Sequence, residues 1–164
     1  IRDSLRAALL VTRATPLRGS GDVAGGSAPG QVRVVADHLN VSGGSLFPAP
    51  GMVSAGWDAT LTERLGSLRG VSGSSVVALV PGPLRPSPAE SRALVSLGAD
   101  AAVTDSVAEA MVLASRGVAV SALTYLDAPA AGGNLGRAQL SLRQASGVTL
   151  AAVEEILRSL RAGS

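Results

Sequence analysis

The chain has no cysteine, which excludes disulfides and thiolate metal sites. It has no lysine either, so its net charge of +2 rests on arginine as the only strong base. The high isoelectric point therefore reflects arginine chemistry rather than a basic stripe. Those arginines are scattered among acids, which argues against a nucleic-acid surface. Aromatic residues are nearly absent: Phe47, Trp57 and Tyr125 make up 2% of the chain, so the core must be built from Leu, Val and Ala. No apolar run approaches the length of a membrane span, and the first residues carry no signal-peptide core. A cytoplasmic location without membrane attachment is the expectation, and no internal repeat is visible. Nothing in the composition calls for a metal or a cofactor. There is one histidine, His38, at the end of an apolar run. A lone histidine there is more often a hydrogen-bonded structural residue than a catalyst.

What is present is a folded α/β pattern. Hydrophobic residues make up 46% of 164 residues, enough for a single domain with a sizeable core. Ser87, Pro88 and Glu90 form a capping box with proline at the first helical position, so a helix should start at Pro88. Leu94 and Leu97 would share one face, and Gly98 would end the helix in the left-handed cap. Ser106 and Glu109 repeat the pattern for a second helix that Gly117 stops. Apolar, β-branched runs place strands near 8–12, 32–37, 75–80, 101–104 and 118–126. Helices are expected near 59–68, 88–97, 107–115 and 150–161. The last would be capped by Thr149 and striped by Leu150, Val153, Ile156, Leu157 and Leu160. The Gly/Ser-rich stretch from Gly19 to Gly30, and Ala131 to Gly136, read as loops.

Five words in register carry a resemblance: Gly82-Pro83, Pro88-Ala89-Glu90-Ser91-Arg92, Leu97-Gly98-Ala99-Asp100, Ser106-Val107-Ala108-Glu109 and Gly117-Val118-Ala119-Val120. Pro29-Gly30-Gln31-Val32 with Asp37-His38-Leu39-Asn40, and Phe47-Pro48 with Val53 to Asp58, add two more. Together they resemble the purine nucleoside phosphorylase family, the trimeric class that includes methylthioadenosine phosphorylase. The resemblance implies a three-layer α/β fold, a mixed and mostly parallel sheet with helices on both faces. It also implies that residues 1–164 form one domain matching the C-terminal portion of the family fold. The implied activity is phosphorolysis of purine nucleosides to base and ribose 1-phosphate, with phosphate as co-substrate. The implied assembly is a homotrimer. In that family the loop holding Trp57 approaches a neighbouring subunit's site; the alternative is that Trp57 anchors a loop on its own core. The family's catalytic histidine lies in an N-terminal part that has no counterpart here, so His38 does not inherit its role.

Carried over residue by residue, the resemblance gives a purine and ribose site at Arg85, Pro86, Thr104, Asp127 and Ala128. It gives a phosphate site at Thr12, Ala14 and Asp105. At these positions the chain departs from the family. Pro86 replaces the purine-holding glutamate, Ala128 the strand-end amide with Asp127 just before it, and Asp105 the phosphate-binding serine. Arg13, Thr15 and Pro16 replace the small residues of a phosphate turn. Pro86 and Ala128 offer no side-chain hydrogen bond, and Asp105 places a negative charge where phosphate should bind. An acid near a helix N-terminus is also favourable by about 0.3–1 kcal/mol, which is a structural role for Asp105. Arg85 reads equally as a solvated arginine or as a cation that pairs with a ligand. No residue is assigned as catalytic. Impaired or lost phosphorolysis is the expectation, with a non-catalytic subunit or a nucleoside-binding module as the alternatives.

Overall fold

The computed structural model describes residues 5–17, 29–41, 56–82, 85–127 and 135–162, with side chains in the last segment from 143 onward. Within these, five strands and four helices follow in order: β1 Ala7–Pro16, β2 Val32–Asn40, α1 Ala59–Gly66, β3 Val71–Leu79, α2 Pro88–Ser96, β4 Ala101–Val103, α3 Val107–Ser115, β5 Ala119–Leu126 and α4 Leu135–Ala162. The strands form one mixed sheet. β1 runs parallel to β5 from Ala7↔Ala119 to Ala14↔Leu126. β2, β3 and β4 form a second parallel block.

The sheet is mixed, as expected, but differs from the three-layer arrangement that the resemblance implies. It closes into a barrel in the order β1-β4-β3-β2-β5. Two short antiparallel seams join the parallel blocks: Thr15 and Pro16 of β1 against Ala102 and Ala101, and Val32 to Val34 of β2 against Tyr125 to Leu123. Closure has two local causes. The ladder between β2 and β3 shifts register between Val32 and Val34 and again between Val35 and Asp37, and such irregularities increase twist and bend the strand. β1 also runs four residues beyond the predicted end at Thr12, because its terminal Pro16 sits where a missing N–H costs no ladder bond. Asp100 locks that seam. Its carboxylate accepts from Val76 N at 2.8 Å, its own N–H donates to Val76 O at 2.8 Å, and its carbonyl accepts from Leu17 N at 3.0 Å.

Adjacent strand residues point to opposite faces, and the core divides accordingly. One cluster draws on all five strands through Ala14, Val35, Val77, Leu79, Ala101, Val103, Ala122 and Leu126, and α3 adds Val107 and Met111. On the other face, Val34, Leu123 and Tyr125 pack under Leu61 and Leu65 of α1 and Val148, Ala152 and Ile156 of α4. Leu94 of α2 covers Ala78 and Ala102 on that same outer side.

The caps decide where the helices start. The predicted box at α2 is present: Ser87 Oγ accepts from Glu90 N at 3.3 Å, and Glu90 Oε2 accepts from Ser87 N at 2.7 Å. Gly98 and Gly117 take the left-handed conformation at φ 94° and 78°. Three expectations need correction. Ser106 makes no side-chain cap to α3 and is itself left-handed. Leu97, at the C-cap of α2, is exposed rather than packed beside Leu94. Thr149 does not start the last helix; α4 runs straight through, and Thr149 Oγ1 donates back to Ala145 O at 2.9 Å. The buried stripe of α4 is consequently Val148, Ala152 and Ile156 with Leu160 beside them, while Leu150, Val153 and Leu157 face outward. Among the described residues no helix is long and apolar enough to cross a membrane.

Candidate functional site

The polar residues gather where β1 passes the ends of β4 and β5. Alternation along β1 turns Thr12 and Ala14 inward and Arg13 to solvent. Because β4 runs antiparallel to β1, the chain leaving Val103 heads back along β1 towards Thr12. Asp105, exposed on that turn, meets Thr12 there: Thr12 Oγ1 donates to Asp105 Oδ1 in a short hydrogen bond. Thr12 is 4% exposed, so this is a buried hydroxyl whose donor is committed to a carboxylate. The structure thus joins two of the three expected phosphate-site residues. Ala14 lies two residues along on the same face, buried at the centre of the inner cluster. Its carbonyl accepts from Asp127 N at 2.8 Å.

Residues 13–15 form neither the phosphate turn of the resemblance nor an ordinary turn, since they continue the strand. Up to Ala14 they pair with β5, and Thr15 and Pro16 pair with β4. Their backbone is therefore engaged in a ladder rather than curled into a nest of converging N–H groups. Beside Asp105, Ser106 adopts φ 67°, which makes it the one non-glycine residue with positive φ among those described. Its Oγ donates to Asp105 O at 2.6 Å, holding the turn that presents the carboxylate. Backbone in this region costs a non-glycine residue about 1–2 kcal/mol, and such strain concentrates at functional sites.

On the solvent side of β1, Arg13 Nη2 sits 2.6 Å from Asp127 Oδ2, and Arg85 Nη2 approaches the same oxygen at 3.8 Å. Three distant segments meet at this carboxylate. Arg13 was missed by the sequence assignment of the site. The available signal was an arginine inserted between two candidate positions, in place of a small residue. Thr104 is exposed, and Gly82 presses against it: a Cβ on Gly82 would stand 3.2 Å from Thr104 Cβ. A larger residue at 82 would require Thr104 to give by a few tenths of an ångström. Pro86 is half-buried just before the helix cap. Ala128 lies outside the described residues.

His38 stands apart from this cluster in its bonding. Trp57 Nε1 donates to His38 Nδ1 at 3.2 Å, with the rings edge-to-face at 6.1 Å and 81°. Burial pushes the imidazole below its ordinary pKa, and the neighbouring Asp37 carboxylate opposes that shift. Trp57 in turn packs, as Leu10 does, against the clusters holding Met111 and Ala110. It anchors its segment on the chain's own core. Among the described residues no group of acids and histidines could hold a metal ion.

No family model matches the chain, and neither does any curated protein. Solved structures do match. The chain superimposes on Schistosoma purine nucleoside phosphorylase in complex with hypoxanthine with a TM-score of 0.67 at 18% identity, covering 93% of this chain and 61% of that one. The Schistosoma mansoni enzyme with inosine gives 0.66 at 18%, covering 91% and 59%. The Schistosoma enzyme with guanosine gives 0.66 at 18%, covering 91% and 61%. The fold is that of a purine nucleoside phosphorylase, and the chain spans about three-fifths of the length of these neighbours.

Proposed function

We propose that this chain is a nucleoside phosphorylase-type protein that binds a purine nucleoside or base and has lost phosphorolysis. The observation that carries the reading is the hydrogen bond from Thr12 to Asp105. Phosphorolysis needs a phosphate oxygen to attack the sugar carbon as the bond to the base breaks. The base leaves with the electron pair and must be protonated. Asp105 supplies a fixed carboxylate at the position the resemblance gives to the phosphate ligand, and Thr12 spends its donor on it. A second anion beside that carboxylate is opposed by like-charge repulsion, most strongly where water is excluded. The purine end is weakened too, since Pro86 has no side-chain acceptor. Removing one positioned group of this kind typically costs about 2.7–4 kcal/mol of transition-state stabilisation. The structural neighbours hold hypoxanthine, inosine and guanosine, which supports the ligand class.

The test pairs calorimetric titration of inosine with a phosphate-dependent assay for hypoxanthine release, beside the triple variant Pro86→Glu, Asp105→Ser, Ala128→Asn. Binding without turnover is expected for the natural chain, and measurable phosphate binding only in the variant. Robust turnover by the unmodified chain would overturn the reading.

A further inference from the structure

We infer that the arginine pair beside Asp127 reads a phosphate monoester carried by the ligand itself, so that this site takes a nucleoside monophosphate rather than a nucleoside plus free phosphate. The inference rests on the nucleoside-binding reading above. Its ground is the geometry around one carboxylate oxygen. Arg13 donates to Asp127 Oδ2 at 2.6 Å, while Arg85 comes only to 3.8 Å, beyond hydrogen-bond distance. The arginine side chains are 74% and 53% exposed and that of Asp127 23%, so the arginines face solvent and the acid is the more covered partner. Among the described residues of this cluster, one carboxylate against two guanidiniums leaves one positive charge uncompensated.

A stabilising surface ion pair needs one arginine, and the second adds little to the fold at that distance. Two planar forks converging from separate segments instead match an anion with three equivalent oxygens, which takes charge-assisted bonds from both. A phosphate monoester carries about −1.5 to −2 charges at pH 7, enough to satisfy the pair even with Asp127 retained. A carboxylate ligand would offer two oxygens and one charge. Position adds to the argument: Arg85 and Asp127 stand where the resemblance places contacts to the nucleoside, so an anion held there is within reach of a bound nucleoside. Asp105 disfavours free phosphate on the inner side of β1, whereas Arg13 points to the opposite side.

Isothermal titration of the full chain at low salt with inosine 5′-monophosphate, inosine and inorganic phosphate tests this. The monophosphate should bind about tenfold or more tightly than inosine. That advantage should disappear in Arg13→Gln while inosine affinity is kept, and the ratio of monophosphate to inosine affinity should collapse likewise in Arg85→Ala, with circular dichroism confirming that both variants fold. Equal affinity for inosine and its monophosphate would overturn the inference and leave nucleoside binding intact. So would an advantage that survives both substitutions, or inorganic phosphate binding as tightly as the monophosphate. Failure of inosine and its monophosphate alike would overturn both the inference and the nucleoside reading.

Discussion

The sheet wall beneath α1 and α4 and the strand ends around Thr12 are stretches of the same barrel, yet they are built on opposite logic. Under α1 and α4, Val34, Leu61, Leu65, Leu123 and Ile156 interlock, the buried Ser121 hydroxyl is paired with Thr62 Oγ1 at 3.3 Å, and the helices are set by ordinary means. Asp58 Oδ1 accepts from Leu61 N at 2.8 Å to start α1, and Leu61 and Leu65 follow at helical spacing on its buried face. At the strand ends a buried threonine serves a carboxylate, a serine sits in a strained conformation, and two arginines crowd one acid. The first region minimises free energy with each residue in its preferred state. The second keeps arrangements that folding alone does not require, which is the ground for the site proposed above.

The comparison is sharpest where it predicts the largest loss. Leu65 is completely buried between α1, the sheet and α4. Leu65→Ala should cost about 2–5 kcal/mol, the transfer term plus the cavity left behind. The shift in urea midpoint, with the slope unchanged, measures it. A cost below about 1 kcal/mol would mean that the wall repacks freely and is no more optimised than the strand ends.

Much of the apolar region was legible beforehand. The capping box at Ser87 and Glu90, the glycine stops at Gly98 and Gly117, and the strands at 101–103 and 119–126 lie where local pattern puts them, because their causes are local. Barrel closure was not legible. It depends on seams of two and three residue pairs, made by strands that continue past Arg13 to a proline and bend at irregularities in β2. The face of α4 was misread because the apolar positions allow two stripes. The one that packs begins at Val148, before the supposed cap. At the site, the resemblance marked Thr12, Asp105, Arg85 and Asp127 separately. That Thr12 bonds Asp105, and that Arg13 joins Arg85 on Asp127, depends on which strands are neighbours. Sequence spacing holds no trace of contacts 93 and 114 residues apart.

A smaller effect tests whether the strain at Ser106 is real. Ser106→Gly relieves the positive φ and loses the Oγ bond to Asp105 O; Ser106→Ala loses the same bond and keeps the strain. The glycine variant should therefore be the more stable of the two by about 1 kcal/mol. At an ordinary helical or strand position the order would be reversed, so thermal denaturation of the pair gives a sign as well as a size. Alanine proving the more stable would remove the strain from the contrast between the two regions.

The smallest expected effect concerns His38, which lies in neither region and shows how polar groups behave when structure alone governs them. Trp57 Nε1–H donates to Nδ1, so the neutral ring carries its proton on Nε2. Protonation would put a second donor on Nδ1, facing the indole N–H. Burial lowers the pKa in the folded chain below the value near 6.5 that the unfolded chain keeps, with Asp37 opposing. The unfolded chain therefore takes up the proton first as pH falls. The contribution is whole above about pH 6.5, shrinks as pH drops through the window beneath it, and levels off below the folded pKa. Glu90, held low by its bonds to Ser87, contributes stability that is lost only in the carboxylate range further down, so the two slopes separate. The step at His38 should stay under about 1 kcal/mol, the worth of a neutral hydrogen bond. Trp57 is the single tryptophan, so its emission reports unfolding in urea directly. Midpoints measured from pH 7.5 to 5 should fall in the natural chain and stay level in His38→Gln, whose amide oxygen accepts from the indole at every pH. An equal fall in both would place the titrating group elsewhere and leave the Trp57 contact without a part in pH stability.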